Sequence, residues 1–164
     1  MFSSIGIDAE VIRFAKERTQ QGVLDYLGAS WRAIRKGKAS YELSCTVDNR
    51  TFQWGNAVSV TLAKIPYYGY GARSLIGKIP SHDGQVYGLA CVNTHIPLSN
   101  KPIRMWGLLL TALGEEKPPL IAFKGKEIMI KSRKPFPIQA GGEFLGMSRF
   151  LTVRVKRKQR VLVI

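Results

Sequence analysis

The stretch Tyr41-Glu42-Leu43-Ser44-Cys45-Thr46-Val47-Asp48-Asn49-Arg50 alternates in character at every step. Tyr41, Leu43, Cys45 and Val47 are apolar or small and interleave with Glu42, Ser44, Thr46 and Asp48. Successive side chains of a strand point to opposite faces, so this period of two predicts a half-buried β-strand. Asp48-Asn49-Arg50 reads as a hairpin turn, residues 51–54 as its return strand and residues 57–63 as a further apolar, β-branched strand.

Further strand patterns follow at residues 85–92, 120–123, 127–131, 150–155 and 161–164, with turn signals between them. The segment Ser81-His82-Asp83-Gly84 reads as a turn, Pro66 to Gly71 as a loop and residues 135–142 as a loop, because prolines and glycines interrupt ladders. Ser99 is placed to cap an inserted helix through Ile103, Trp106, Leu109 and Leu110, closing near Gly114.

Helical periodicity is confined to the front of the chain. Asp8 reads as an N-cap, with Glu10 in the first turn and Val11, Ile12, Phe14 and Ala15 at helical spacing. After Gly22, Leu24, Leu27, Trp31 and Ile34 fall on one face of a second helix. Helices first and strands afterwards imply an α+β, mainly antiparallel β fold. The expected architecture is a two-layer, β-sandwich-like domain over residues 1–164. Residues 1–38 form a helical lead-in and residues 39–164 are β-rich, with one inserted helix.

Composition narrows the function classes. The apolar fraction is 45%, ordinary for a globular domain, and no apolar run is long enough for a membrane-spanning helix. No secretory leader pattern follows Met1, which predicts a cytoplasmic protein. Cys45 and Cys91 sit in apolar strand patterns and read as small buried hydrophobes, and the two histidines, His82 and His95, show no zinc spacing. The net charge of +14 suits a polyanionic partner: an anionic membrane surface, a phosphorylated ligand or nucleic acid. The basic run Arg154, Lys156, Arg157, Lys158 and Arg160 is its densest part and reads as a membrane- or anion-binding segment. A solvated strand edge guarded by charge is the alternative. Nucleic acid is disfavoured, because no helix-turn-helix, zinc finger or RRM signature is present.

Four short motifs carry a resemblance. Ile5-Gly6-Ile7-Asp8-Ala9 resembles the "GxDA" opening of the C-terminal domain in the diacylglycerol kinase and sphingosine kinase family. Tyr67-Tyr68-Gly69-Tyr70-Gly71 is similar to its "YYGGG" loop, Asp83-Gly84 to its "DDG" turn, and Gly141-Gly142-Glu143 to its "DGE" segment. They occur in family order. The resemblance implies the lipid-substrate half of an ATP-dependent lipid kinase that phosphorylates a lipid hydroxyl such as that of diacylglycerol. ATP and magnesium are the implied cofactors. The implied partners are a lipid substrate, an anionic membrane and a nucleotide-binding domain, in cis or as a separate chain. Localisation at the membrane periphery follows from the same resemblance.

The family's "GGDGT" nucleotide loop has no counterpart here, so the chain is not expected to catalyse alone. Met1 stands just before the first of these motifs, where the resemblance begins with the C-terminal domain, which predicts a fragment or a separately encoded half.

Residue by residue, the resemblance assigns Glu143 as general base, Asp83 as a metal ligand, and Tyr67, Tyr68, Gly69, Gly71 and Gly142 to the substrate. Glu143 is expected at the mouth of an apolar groove, where a positioned carboxylate accepts the proton of the attacking hydroxyl. Tyr67, Tyr68, Tyr70, Phe136 and Phe144 either line an acyl pocket or pack sheet edges. Two departures matter: Gly141 stands where the family has Asp, and His82 where it has the first Asp of "DDG". They leave open a catalytically inactive lipid- or membrane-binding module, and charge alone leaves open a basic nucleic-acid-binding β domain.

Overall fold

The computed structural model describes residues 2–16, 23–36, 40–64, 83–92 and 120–156. Within them the order is β1 (Phe2–Gly6), α1 (Ile7–Lys16), α2 (Val23–Lys36), β2 (Tyr41–Val47), β3 (Arg50–Ala63), β4 (Val86–Val92), β5 (Leu120–Gly125), β6 (Glu127–Ala140) and β7 (Glu143–Arg154). All the strand pairings are antiparallel, so the α+β, mainly antiparallel fold holds. The expected inserted helix and the strand at 161–164 lie outside the described residues.

Two 14-residue strands, β3 and β6, organise the sheet. Each carries β2 and then β1 along one edge. Ala57 of β3 faces Tyr41 on one side and Val92 on the other, and Thr61 likewise faces Ser4 and Leu89. On β6, Lys131 faces Ser44 and Phe150, and Ile138 faces Ile5 and Gly146. The pairings β1–β3, β3–β2, β2–β6 and β6–β1 therefore close a four-strand circuit. The pair β4–β5 extends it beyond β3, and β7 extends it beyond β6. This barrel-like closure stands where a two-layer sandwich was expected.

The circuit turns its inner face onto one core, which includes Ile5, Leu43, Cys45, Trp54, Val60, Ile130 and Phe136. Phe136 is fully buried and meets Tyr41 edge-on, with ring centroids 6.5 Å apart. A second core lies between the helices and the outer face of β3 and β4, where Val11 and Ala15 of α1 and Ala29 and Ala33 of α2 meet Val58, Leu89 and Cys91. Strand β4 serves both cores and is buried along its whole length, which is why Val86-Tyr87-Gly88-Leu89-Ala90-Cys91-Val92 reads as a continuous apolar run. Both cysteines are free and buried, and burial pushes each thiol up to about 12.

Four local expectations are corrected. Residues 51–54 and 57–63 belong to one strand, bent at an irregularity between Ala57 and Ser59. The bulge brings Val58 and Ser59 to the helix side in succession, which breaks the period of two. Residues 135–140 are strand, not loop. Pro135 falls in the part of β6 between its pairing with β2, which ends at Ser132, and its pairing with β1, which starts at Ile138. Pro137 falls there too, so no ladder bond to that edge is lost.

In α2 the buried face is Ala29, Ala33 and Ile34, while Leu27 and Trp31 are exposed, because small residues permit the close approach of α1. Asp8 does not cap α1: the helix begins at Ile7, and the Asp8 carboxyl turns down onto β3.

Gly6 makes the exit from β1 possible. Its φ is +80°, and a Cβ there would stand 2.3 Å from the Val58 carbonyl oxygen. The glycine of the first motif thus has a backbone reason to be glycine.

Candidate functional site

Two of the four sequence motifs, the Asp83 turn and the Gly141–Glu143 turn, meet at the Phe2 end of β1, while the first motif lies at its Gly6 end. Phe2 faces Ala63, which in turn faces Tyr87. On its other side, Ser3 faces Ala140, and the Phe2 carbonyl accepts the Gly141 N–H at 2.9 Å. The Asp83 turn lies against β4, the Gly141–Glu143 turn closes β6 onto β7, and α1, which carries the first motif away from the Gly6 end, returns to Glu143 through Lys16. The segment 65–82, which carries Tyr67, Tyr68, Gly69 and Gly71, lies outside the described residues. Its flanking residues Lys64 and Asp83 are bonded to each other at this same end.

The Glu143 turn follows from two glycines. Ala140 faces Glu143 across a two-residue loop, and Gly141 and Gly142 have φ of +59° and +83°. Positive φ at both central positions is the mirror-image turn that matches strand twist, and side-chain-bearing residues resist it. Gln139, buried beneath α1, steadies the turn. Its Oε1 accepts the Gly142 N–H at 3.1 Å, and its Nε2 donates to Ser4 Oγ at 2.8 Å. Glu143 itself is exposed, and its Oε2 accepts a hydrogen bond from Lys16 Nζ in the last turn of α1.

Asp83 is held by three donors. Lys64 Nζ donates to Oδ1 at 2.6 Å, the Gln85 N–H to the same oxygen at 3.0 Å, and the Tyr87 hydroxyl to Oδ2. The hydrogen bond from Lys64, with that from Tyr87, holds its carboxyl below the ordinary carboxylate range. The same bond to Asp83 raises the Tyr87 hydroxyl.

This arrangement does not fit a divalent cation. Both oxygens are engaged by protein donors, and the Lys64 ammonium already supplies the positive charge. No cluster of metal-ligating side chains occurs among the described residues. A nucleotide does not fit the Gly141–Gly142 turn either: it joins two strands, whereas a phosphate loop opens a helix.

Asp8 is the functional candidate that sequence reasoning missed, having read it as a cap. It is fully buried, and burial pushes its carboxyl up to about 6, with Thr61 opposing the shift by donating to Oδ2 at 2.8 Å. Its Oδ1 has no hydrogen-bond partner. Its place in the "GxDA" motif was the available signal. A buried carboxyl titrating near neutrality is the kind of group that functional sites use.

The remaining residues lie elsewhere. Phe136 is in the core and Phe144 is half-buried. Arg154 faces Glu127 at the opposite end of β7 from Glu143, Lys156 follows it, and Arg157, Lys158 and Arg160 lie outside the described residues. An open cleft of about 610 Å³ lies across the middle of β6, lined by Glu42, Ser44, Gln53, Trp54, Lys131 and Arg133 among others. Its lining mixes charged and polar side chains with Leu43 and Trp54 and does not include Glu143. No helix among the described residues is long and apolar enough to cross a membrane.

No family model and no curated protein sequence matches the chain. Solved structures do. It superposes on a diacylglycerol kinase of Bacillus anthracis str. Sterne with a TM-score of 0.54 at 13% identity, covering 94% of this chain and 46% of that one. Two further structures from the same organism, assigned to diacylglycerol kinases, give TM-scores of 0.58 and 0.57 at 20% and 19% identity. Each is matched over 93% of this chain and 49% or 50% of its own length. The chain thus spans about half the length of these structures, and over that half it has the fold of a diacylglycerol kinase.

Proposed function

We propose that this chain is the C-terminal, lipid-substrate half of an ATP-dependent lipid kinase, and that Glu143 is its general base. The observation that carries the reading is convergence. The Asp83 turn and the Gly141–Glu143 turn meet around Phe2, and the helix that leaves the first motif reaches Glu143 through Lys16, in a fold shared with half of the diacylglycerol kinase structures. Phosphoryl transfer to an alcohol requires removal of the hydroxyl proton, and the exposed Glu143 carboxylate on its two-residue turn is the group proposed to take it. Lys16, hydrogen-bonded to that carboxylate, orients it and contributes positive charge beside the site. ATP supplies the phosphoryl group and is expected on a nucleotide-binding half, in cis or as a separate chain. The substrate is a lipid alcohol drawn from an anionic membrane.

A second reading is favoured by one feature. Both motif carboxylates, Glu143 and Asp83, are bonded to lysines, Lys16 and Lys64. With Gly141 in place of a second acid, the chain then serves as a catalytically silent lipid-binding module.

The deciding experiment combines this chain with a nucleotide-binding half and follows phosphate transfer from ATP to diacylglycerol. The kinase reading expects transfer that Glu143→Gln lowers by about 100-fold or more. No transfer, with lipid binding intact, supports the silent module.

A further inference from the structure

Strand β7 carries an apolar stripe that the fold leaves uncovered. Leu145 and Phe150 are each 65% exposed and Met147 is 54% exposed, and the stripe starts two residues beyond Glu143. Directly opposed residues of paired strands share a face. Phe150 faces Lys131, Lys131 faces Ser44, and Ser44 faces Gln53, so one cross-strand row runs from the exposed aromatic ring into the cleft. Ser148 and Leu151 pair with the core residues Phe136 and Ile130, and the register shift between them leaves both Met147 and Phe150 on the face away from that core. The cleft adds Arg133 beside Lys131, and Arg149 separates Met147 from Phe150 along the strand. Glu42 is the acidic member of the lining.

We infer that the outer face of β7, with the exposed Lys131–Arg133 stretch of β6 beside it, is a docking surface for an anionic phospholipid bilayer. Lys131, Arg133 and Arg149 would meet the headgroups, and Leu145, Met147 and Phe150 would enter the acyl boundary. Three observations select this occupant. The exposed side chains are apolar ones ringed by cations, the pattern of an interfacial anchor. The cations beside the stripe, on a chain of net charge +14, repel a second copy of the same face. In the cleft adjoining the ring, Lys131 and Arg133 are donors suited to a phosphate-bearing headgroup. The choice of a bilayer over another polyanion rests on the lipid-kinase reading, whereas the surface itself stands on geometry. Docked this way, β7 brings the Glu143 turn to the bilayer, where a lipid hydroxyl is presented.

The test is sedimentation of the full chain with vesicles of equimolar phosphatidylglycerol and phosphatidylcholine, against vesicles of phosphatidylcholine alone, without nucleotide. Binding to the anionic vesicles is expected to exceed binding to the neutral ones. The pair Met147→Ser with Phe150→Ser is expected to lower partitioning by about tenfold or more. The pair Lys131→Glu with Arg133→Glu is expected to lower it by roughly fivefold for each site. These positions are exposed, and circular dichroism confirms the fold of each variant. Equal binding to both vesicle types, or wild-type partitioning by both variants, overturns the inference. So does tighter binding to a DNA duplex than to the anionic vesicles at equal salt, or a dimer that Phe150→Ser dissociates. Vesicle binding without phosphate transfer would sink the kinase reading alone. Transfer from detergent-solubilised lipid without vesicle binding would sink the docking surface alone.

Discussion

Lys16, in the last turn of α1, donates a hydrogen bond to the carboxylate of Glu143, the first residue of β7, across 127 positions of sequence. The contact ties the helix to the motif turn. The two side chains are 39% and 66% exposed, so their pairing adds little to stability. An exposed ion pair of this kind contributes about 0–1 kcal/mol. Lys16→Ala is therefore expected to leave the urea midpoint nearly unchanged. In the reconstituted transfer assay the same variant should lower activity, because the carboxylate loses its orienting partner. An unchanged rate would assign Lys16 no part in positioning Glu143.

Asp8 sets a pH dependence of opposite sign to that of ordinary carboxylates. Its folded carboxyl titrates at about 6 against an ordinary value of 3.8. The native state therefore binds more protons than the unfolded chain between those values, and stability falls as pH rises through that window. Above about pH 6 both states are ionised, and the loss is complete at roughly 3 kcal/mol. Asp8→Asn should flatten this slope and raise the melting temperature above pH 6, measured by thermal denaturation from pH 4 to pH 8. A wild-type slope in the variant would show that Asp8 is not the group responsible.

Asp83 behaves in the usual direction. Its folded carboxyl is held below the ordinary range by Lys64, Tyr87 and the Gln85 N–H. Its contribution is present above the unfolded pKa and is lost as pH falls through the lower folded value. Asp83→Asn should thus destabilise the protein at neutral pH, with the difference vanishing in strong acid. Because the Lys64 ammonium occupies the place a cation would take, a chelator should not shift the melting temperature. A downward shift on adding the chelator would restore a metal to this turn.

Gly6→Ala tests the junction of β1 and α1. The new Cβ would meet the Val58 carbonyl oxygen at 2.3 Å, on a backbone whose φ is +80°. Positive φ alone costs about 1–3 kcal/mol for an ordinary residue. The clash adds to that, so a loss of about 3 kcal/mol or more is expected in urea unfolding. A substitution at Gly28, where nothing lies within 4 Å of the new Cβ, is the control and should be nearly neutral.

Strands were legible wherever their two faces meet different surroundings. Strand β2 alternates because Tyr41, Leu43, Cys45 and Val47 enter the core while Glu42, Ser44 and Thr46 face outward. The second half of β3 and all of β4 are buried on both faces, so their period disappears and β3 was read as two strands. The prolines of β6 looked like loop signals because a sequence does not reveal which strand edge lacks a partner. The helices were found at the front, but the buried face of α2 was misread, since Leu27 and Trp31 carry more apolar surface than Ala29 and Ala33. Packing against α1 selected the small residues.

Local turn chemistry made Gly141-Gly142-Glu143 and Asp83-Gly84 stand out, because backbone preferences act over a few residues. The lysine partners of those carboxylates, the burial of Asp8 and the meeting of the two turns at Phe2 were decided by the tertiary structure alone. They arise from antiparallel registers between strands far apart in sequence, and such registers depend on how whole faces pack.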